Sequence, residues 1–586
     1  MTRRLELALL LGVVWLLVLV QLMAEYWPMT ATSMHDADDA LRLVQVRSFL
    51  AGQGWFDLHE MRLNPPFGYE SHWSRLIDAG LAGLFVIFNV FVPHALAERL
   101  MAATWPVLWL IPTIGGAVAI AWRLAGREAA FVVLLLAMFG MPGMGQFRPG
   151  RIDHHNVQIA LAIVAVAATV WSDRIRWASL AAGATTGLAL AIGFEGLPLL
   201  VLGGGAFTLR YVTDRNAAPA LRSYGLSLAA SALAAFLVSV SPDRWTHSVC
   251  DTLAINSAAA AIAGGLALVV VATWLADERR SVRCAAGAAA TAAAMAVFLL
   301  FEPRCVGGPY ALMDPALRSI WLARMSEMQS LLDLMKQGPT VGVATAAFPL
   351  LALVATLVAA RRPDLRRDFG VVVAAAAFLL AFLVMLAATK FYAYAMWLGL
   401  PLVAVAALHA FRRLQLNSLL ARFVVALLIT PTTVTIGAMT IASAAGIEGL
   451  IGITSPERQT CTHKDSYATL AQLPPGLIVA NQLEWGPYLL AWTPHSVLAA
   501  PYHRLSTGIA TAHQVFARPP EEAYRILTEV QATYVVACGR LGAGGLSPAD
   551  HAASLAGRLQ AGESPGWLEP IPDTLGQAFV AYRVRR

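Results

Sequence analysis

Three short segments of this chain carry residues able to do chemistry together. The first is His35-Asp36-Ala37-Asp38-Asp39-Ala40-Leu41-Arg42. A single Asp there would cap a helix, since a carboxylate accepts from the free N–H groups of a first turn. Three Asp residues exceed what a cap requires. The second is Arg148-Pro149-Gly150-Arg151-Ile152-Asp153-His154-His155. Asp and His two positions apart can offer an oxygen and an imidazole to one divalent ion. The competing reading is again a cap followed by two interfacial histidines. The third is Arg324-Met325-Ser326-Glu327-Met328-Gln329, where Glu327 alone would be an ordinary solvated charge. Taken together, hard oxygen ligands with one histidine suit Mg²⁺ or Mn²⁺ better than zinc. A cation of that kind acts naturally on a phosphate or pyrophosphate. Arg75 (in His72-Trp73-Ser74-Arg75), Arg148, Arg151 and Lys390 (in Thr389-Lys390-Phe391-Tyr392) are the basic groups able to hold such a phosphate. For each of them the alternative is snorkelling to a membrane interface. Glu195, in Phe194-Glu195-Gly196, is a cap or a pocket wall.

The elements that must position these groups are membrane spans. Of 586 residues, 58% are apolar and 13% charged, against roughly 25% charged in soluble domains. That balance excludes a soluble enzyme, a disordered chain and a nucleic-acid binder. The net charge of +6 reads as loop anchoring. A span needs ~20 apolar residues. Candidates are 5–24, 99–122, 128–147, 156–172, 178–194, 196–210, 223–240, 256–275, 284–301, 340–360, 369–388, 391–411 and 419–442. These are about thirteen. Leu7 to Met23 is too long for a signal-peptide core, and Tyr26-Trp27 follows it as an interfacial pair, so the first span is read as uncleaved.

Arginine clusters at 123/127, 174/176, 210/215/222, 279/280/283, 361/362/366/367 and 412/413/422 fall on one side with Arg3 and Arg4 if 79–97 does not cross. That stretch is therefore expected to be an embedded helix within a long outer loop, 25–98. The remaining outer segments are 148–155, 302–339 and everything beyond about 443. Residues 1–442 form the transmembrane domain. Residues 443–586, with β-like runs at Leu477–Ala480, Tyr534–Ala537 and Phe579–Val584, form a periplasmic α/β domain. The N-terminus is expected in the cytoplasm. Cys250, Cys305, Cys461 and Cys538 all fall outside, where they are either two disulfides, 250–305 and 461–538, or four unpaired small hydrophobes.

In their order along the chain, the three acid segments resemble the catalytic subunit of oligosaccharyltransferases, membrane glycosyltransferases of the GT-C type. The resemblance implies thirteen spans, a long first outer loop and a C-terminal outer domain. Asp36 takes the place of the family's metal-binding, acceptor-contacting aspartate. Asp153-His154-His155 is similar to the family's second acidic motif, with Asp153 and His155 as ligands. Arg324-Met325-Ser326-Glu327 is similar to the family's loop motif, with Glu327 as the third acid. Lys390-Phe391 falls where the family has an Arg-Phe pair near the donor phosphates. The family's Trp-Trp-Asp-Tyr-Gly motif, which reads an Asn-x-Ser/Thr acceptor, is replaced by Asn481-Gln482-Leu483-Glu484-Trp485-Gly486-Pro487-Tyr488. Glu484, Trp485 and Tyr488 are then the candidate acceptor region.

The expected function is transfer of a sugar or oligosaccharide from a polyprenyl phosphate or pyrophosphate, on the outer face of a bacterial inner membrane. The cation, Mn²⁺ or Mg²⁺, would be held by Asp36, Asp153, His155 and Glu327. Asp36 or Asp39 would orient the acceptor, and Glu327 counts with them as catalytic. The acceptor is a protein, a lipid or a polysaccharide, and no nucleic acid is involved. The rival reading is a single-sugar transferase of the same fold. A transporter or flippase is a third, disfavoured by few mid-span charges and no internal repeat.

Overall fold

A computed structural model describes the chain except Met1, Ser326, Glu327, 448–455, Arg540 and 542–545. The membrane half is all-helical. Among the described residues, eight helices are long and apolar enough to cross a membrane, or nine if the bent pair Leu419–Leu428 and Pro431–Ala444 is one span. Shorter apolar helices, His155–Trp171 and Leu197–Thr213, complete the bundle. The outward faces are apolar: Leu9, Leu16 and Val20 of Thr2–Tyr26 are all exposed. The helix His155–Trp171, by contrast, is buried along nearly its whole length. Apolar side chains outside and a fully covered central helix are the arrangement that a lipid solvent demands. The chain is a polytopic helical membrane protein.

Several element boundaries differ from the sequence expectation. The stretches 99–122 and 128–147 belong to one helical run, His94–Met138, broken at Ala125 and Gly126. Gly126 has φ +80°, a conformation that other residues rarely adopt. The second half stops at Met138 and not at 147, because Pro142, Gly143 and Gly145 shape a short 3₁₀ segment, Met141–Phe147. In the segment 25–98 the apolar helix is Arg75–Asn89. It ends in a turn before Pro93, and Val90 and Phe91 project there as exposed apolar side chains.

The C-terminal α/β domain is built on a five-stranded sheet of order β4-β3-β5-β7-β6. Its strands are β3 (Leu477–Ala480), β4 (Ser496–Val497), β5 (Tyr534–Cys538), β6 (Leu568–Pro570) and β7 (Phe579–Val584); β1 (His59–Glu60) and β2 (Tyr69–Glu70) form a separate ribbon within the segment 25–98. β3 pairs in parallel with β4 and β5, and β7 pairs antiparallel with β5 and β6. Alternate residues serve opposite faces. Val479, Val535 and Ala537 pack against the helices Ser506–Ala517 and Pro520–Glu529. Ile478, Tyr534, Val536, Phe579 and Ala581 face the other way, into a core shared with Ala40, Leu41, Trp73 and Tyr502. The segment 25–98 thus supplies part of the hydrophobic cover of this sheet.

Main-chain bonds fix that docking. Asn64 N–H donates to Val497 O at 2.7 Å and Val497 N–H to Arg62 O at 2.8 Å, so the loop extends the sheet beside β4. Arg47 donates to Ala491 O at 2.7 Å and Arg62 to Leu490 O at 2.9 Å.

Candidate active site

Asp36 ends an extended segment and caps the helix Ala37–Leu50. Its Oδ1 accepts from the N–H groups of Asp38 (3.0 Å) and Asp39 (3.1 Å). Its Oδ2 is left for the Arg151 guanidinium. The cap and the functional reading are therefore compatible, one oxygen serving each. Asp153 lies in the turn before the helix His155–Trp171, fully buried, with Oδ2 2.5 Å from Arg151. Ligand oxygens of Asp36, Asp38 and Asp153 all lie within 4.8 Å of one another.

Burial works against the Arg151 charge. Asp153, Asp36 and Asp39 outweigh it and hold the guanidinium above its ordinary value. Burial also pushes Asp39 well above the usual carboxylate range, against the pull of Arg151. Asp153 meets the same penalty, but Arg151 and then His155 overcome it and hold its carboxyl well below that range. By formal charge the four carboxylates of Asp36, Asp38, Asp39 and Asp153 outnumber the single Arg151 guanidinium. An oxygen-rich group with that excess fits a hard divalent cation.

On the neighbouring wall, His155 joins two carboxylates. Its Nδ1 is 3.2 Å from Asp153 Oδ2 and its Nε2 is 3.3 Å from Glu195 Oε2. Lys390 Nζ stands 3.9 Å from the same Glu195 oxygen. These groups border a cavity of about 1570 Å³. Asp36, Asp38, His155, Glu195 and Lys390 stand at its polar part. Leu200, Val201, Gly204, Ala261, Gly264 and Met295, from the helices Leu197–Thr213, Ile255–Trp274 and Arg280–Phe301, form a long apolar part.

Not every expected residue is at this cavity. Asp39 is 1% exposed and accepts from the N–H groups of Ile152 (2.7 Å) and Asp153 (3.2 Å), so it shapes the 151–153 turn and does not reach an acceptor. Its neighbour Asp38 lines the cavity in its place. Arg75 is not a phosphate ligand. It is buried, paired with Asp78 at 3.1 Å, and donates to Gln53 and to the Asp57 carbonyl. Arg151 is equally committed: besides the three aspartates it donates to Gln146 Oε1 at 2.6 Å. Arg148 lies over the Tyr26 ring, 5.0 Å from its centroid, away from the cavity wall. Glu327 lies outside the described residues; Met325 and Met328 on either side of it line the cavity. Glu484, Trp485 and Tyr488 border the cavity too, but the two aromatic rings are buried in the sheet core beside Phe579. Cys250 is bonded to Cys305 and Cys461 to Cys538.

The sequence reading passed over His35, Asp38, His72, His154, Asp251 and His503, all on the cavity wall. Asp38 was one of three candidates with no means of choosing between them. Asp251 and His503 carry no spacing signal, because they meet only after the C-terminal domain has docked. His35 is held neutral, its imidazole pushed down to about 4 by burial and then by Arg151, while its Nε2 bonds the Pro149 carbonyl at 2.9 Å.

No family model matches this chain, and no curated protein matches it in sequence. Solved structures do match it in fold. The apo oligosaccharyltransferase of Archaeoglobus fulgidus superposes with a TM-score of 0.68 at 15% identity, covering 90% of this chain and 69% of its own. The archaeal oligosaccharyltransferase AglB of that organism, in complex with an inhibitory peptide and a dolichol-phosphate, gives a TM-score of 0.68 at 13% identity, covering 97% and 79%. A complex of the A. fulgidus enzyme with Zn and sulfate gives 0.63 at 13%, covering 98% and 73%. At such identities the likeness establishes the fold, which is the one the short motifs pointed to.

Proposed function

We infer that this protein is a glycosyltransferase that moves a sugar or oligosaccharide from a polyprenyl phosphate or pyrophosphate to an acceptor. The observation that carries the reading is one cavity with two unlike parts. A net-negative group of oxygens stands in the polar part, and a lipid-sized apolar channel leads away between helices. A polyprenyl-linked donor has that same division into charged head and apolar tail. The fold supports the reading, since one structure that shares it holds a dolichol-phosphate. The finer topology belongs to the same proposal: thirteen crossings, a cytoplasmic N-terminus, and a C-terminal domain in the periplasm of a bacterial inner membrane.

Asp36, Asp153 and His155 would hold a divalent cation, Mn²⁺ or Mg²⁺, with Glu327 as a further ligand by its sequence position. Such a cation, when bound, neutralises charge developing on the departing phosphate. The chain's own groups do the rest. Arg151 keeps Asp36 and Asp153 converged. Glu195 fixes the His155 ring by its Nε2 and holds Lys390 at the wall. Lys390 supplies a point charge for a phosphate oxygen. Asp36, the most exposed of the acids that contact Arg151, at 35% of its side chain, is the one able to orient an acceptor group. The buried aromatic rings at 485 and 488 do not form a surface for reading an Asn-x-Ser/Thr segment, which favours an acceptor recognised by other means.

The test is release or transfer of a polyprenyl-linked glycan by the purified protein, with chelator, then with Mn²⁺ restored. Metal-dependent turnover is expected. Folded protein that turns over no polyprenyl-linked glycan under any metal condition would refute the reading.

A further inference from the structure

A second group of ligand-type side chains meets on the cavity wall, separate from the acid cluster. His72 comes from the first outer loop. Asp251 comes from the loop between helices Ala218–Ser239 and Ile255–Trp274, and His503 from the C-terminal domain. One ligand atom of each lies within 4.8 Å of the other two. We propose that His72, Asp251 and His503 bind a zinc ion that clasps the C-terminal domain onto the two outer loops. The proposal stands on these three residues and does not rest on glycosyl transfer.

The donor set decides the metal. Two imidazoles and one carboxylate suit a borderline ion of tetrahedral habit, whereas Mg²⁺ and Ca²⁺ favour all-oxygen shells. The outer partners are those a zinc site uses. His72 Nδ1 lies 3.2 Å from the Tyr69 hydroxyl oxygen. With Nδ1–H donating to that oxygen, Nε2 carries the lone pair. Tyr69 is held in turn by stacking on Tyr502, ring centroids 5.3 Å apart. Asp251 is gripped by the Arg504 fork, Nε to Oδ2 at 2.7 Å and NH2 to Oδ1 at 2.8 Å. That fork uses one lone pair on each oxygen, leaving a second on Oδ1, while the second on Oδ2 faces His503 Nε2.

The frame around the group is rigid. Asp251 follows Cys250, which is bonded to Cys305. His503 packs between Tyr310, 5.2 Å away edge-on, and Trp321, 6.3 Å away and stacked. Without an ion, Asp251 is simply the counterion of Arg504 and the 2.7 Å partner of His503. That simpler arrangement gives no reason for a second imzidazole ring 5.0 Å from the first, facing the same carboxylate. Asp251 and Arg504 cancel in charge, so the fourth position of the ion takes a water or an oxyanion from the cavity.

The experiment uses the purified full chain, stripped of metal and titrated with Co²⁺ as a visible probe for zinc. One tight site per chain is expected, with the intense visible bands of a tetrahedral ion, and zinc should displace it. His72→Gln, which keeps an amide beside Tyr69, and His503→Gln should each weaken binding by more than the ~10–100-fold that loss of an outer partner costs. Asp153→Asn should leave the bands unchanged. Zinc should also raise the melting temperature of the wild type and of Asp153→Asn, and leave that of His72→Gln unmoved. Bands that survive both histidine variants, bands lost in Asp153→Asn alone, or no tetrahedral spectrum in folded wild type would each overturn the site.

Discussion

Two clusters of arginine and aspartate in this molecule have opposite charge balance. Around Asp78 stand Arg42 at 2.6 Å and Arg75 at 3.1 Å, all three buried. Around Arg151 stand Asp36, Asp39 and Asp153, with Asp38 just beyond. In the first, two guanidiniums share one carboxylate, and the spare positive charge rests on ring faces: Arg42 lies 4.6 Å from the Trp73 centroid and Arg75 lies 5.0 Å from that of Phe49. In the second, one guanidinium serves three carboxylates, and Asp36 opens to the cavity. The chemistry of the residues is the same. The unspent charge and its access to a cavity distinguish a place that binds from a place that holds the fold.

That contrast predicts opposite outcomes for two isosteric changes. Asp36→Asn keeps a cap oxygen, since Asn caps as well as Asp. It removes a charge that the proposed reaction uses. Turnover of a polyprenyl-linked glycan should fall on the order of 10²–10³-fold, the scale seen when one preorganised charge-stabilising group is lost. The melting temperature should stay near that of the wild type. Full activity in the folded variant would dissolve the distinction. Asp78→Asn should do the reverse. It leaves two guanidiniums buried without a counter-charge, and breaking a buried pair in this way costs about 3–5 kcal/mol. Thermal or denaturant melts would read that loss, while turnover per folded molecule should hold. A variant with wild-type stability would mean that the Asp78 cluster is not a fold-holding pair.

A finer test lies on the cavity wall. Lys390 has a 3.9 Å contact with Glu195 and borders the cavity. Lys390→Gln should raise KM for the donor about 10–100-fold, the equivalent of ~1.5–3 kcal/mol for a bond to a charged group. The effect on kcat should be smaller. Equal loss in both would move Lys390 from donor binding to the reaction itself.

The same contrast explains what the sequence could reveal. Membrane spans were legible because each must be apolar over a fixed length. Their ends were less so: a Gly126 break joins two candidates into one helical run, and Pro142 with its flanking glycines stops the second early. Asp36, Asp153 and His155 stood out as charged or ligating groups close to span ends. The arginines were misread because a guanidinium's role is set by its tertiary partners. Ser74-Arg75-Leu76-Ile77-Asp78 and Arg151-Ile152-Asp153 read almost alike, yet Asp78 holds two arginines whereas Arg151 holds three aspartates, of which Asp36 lines the cavity. Asp38 and Asp39 could not be told apart, since adjacent helical residues point about 100° from each other, and nothing local says which direction is inward. His72, Asp251 and His503 belong to three segments and are joined only by the docked domain.

One last prediction takes the comparison to a buried polar group that has no cavity at all. His495 is fully buried beside β4 of the C-terminal domain. Its Nε2–H donates to Leu470 O at 2.8 Å, and its Nδ1 accepts from Gly476 N–H at 3.2 Å. That pair of bonds needs the neutral ring, and burial holds the imidazole below its ordinary value. The folded state therefore binds a proton less readily than the unfolded state does. By linkage, the neutral ring's contribution to stability is complete above the unfolded value of ~6.5, and it diminishes as the pH falls from there toward the lower folded value. The C-terminal domain should therefore melt more easily below that pH. His495→Gln, which can neither be protonated nor reach both partners well, should be less stable at neutral pH and show a flatter decline. Metal-dependent turnover, scaled to folded protein, should follow neither change. If turnover tracked His495 instead, buried polar groups of the fold and exposed charges of the cavity would be one system, and the line drawn between Asp78 and Asp36 would fail with it.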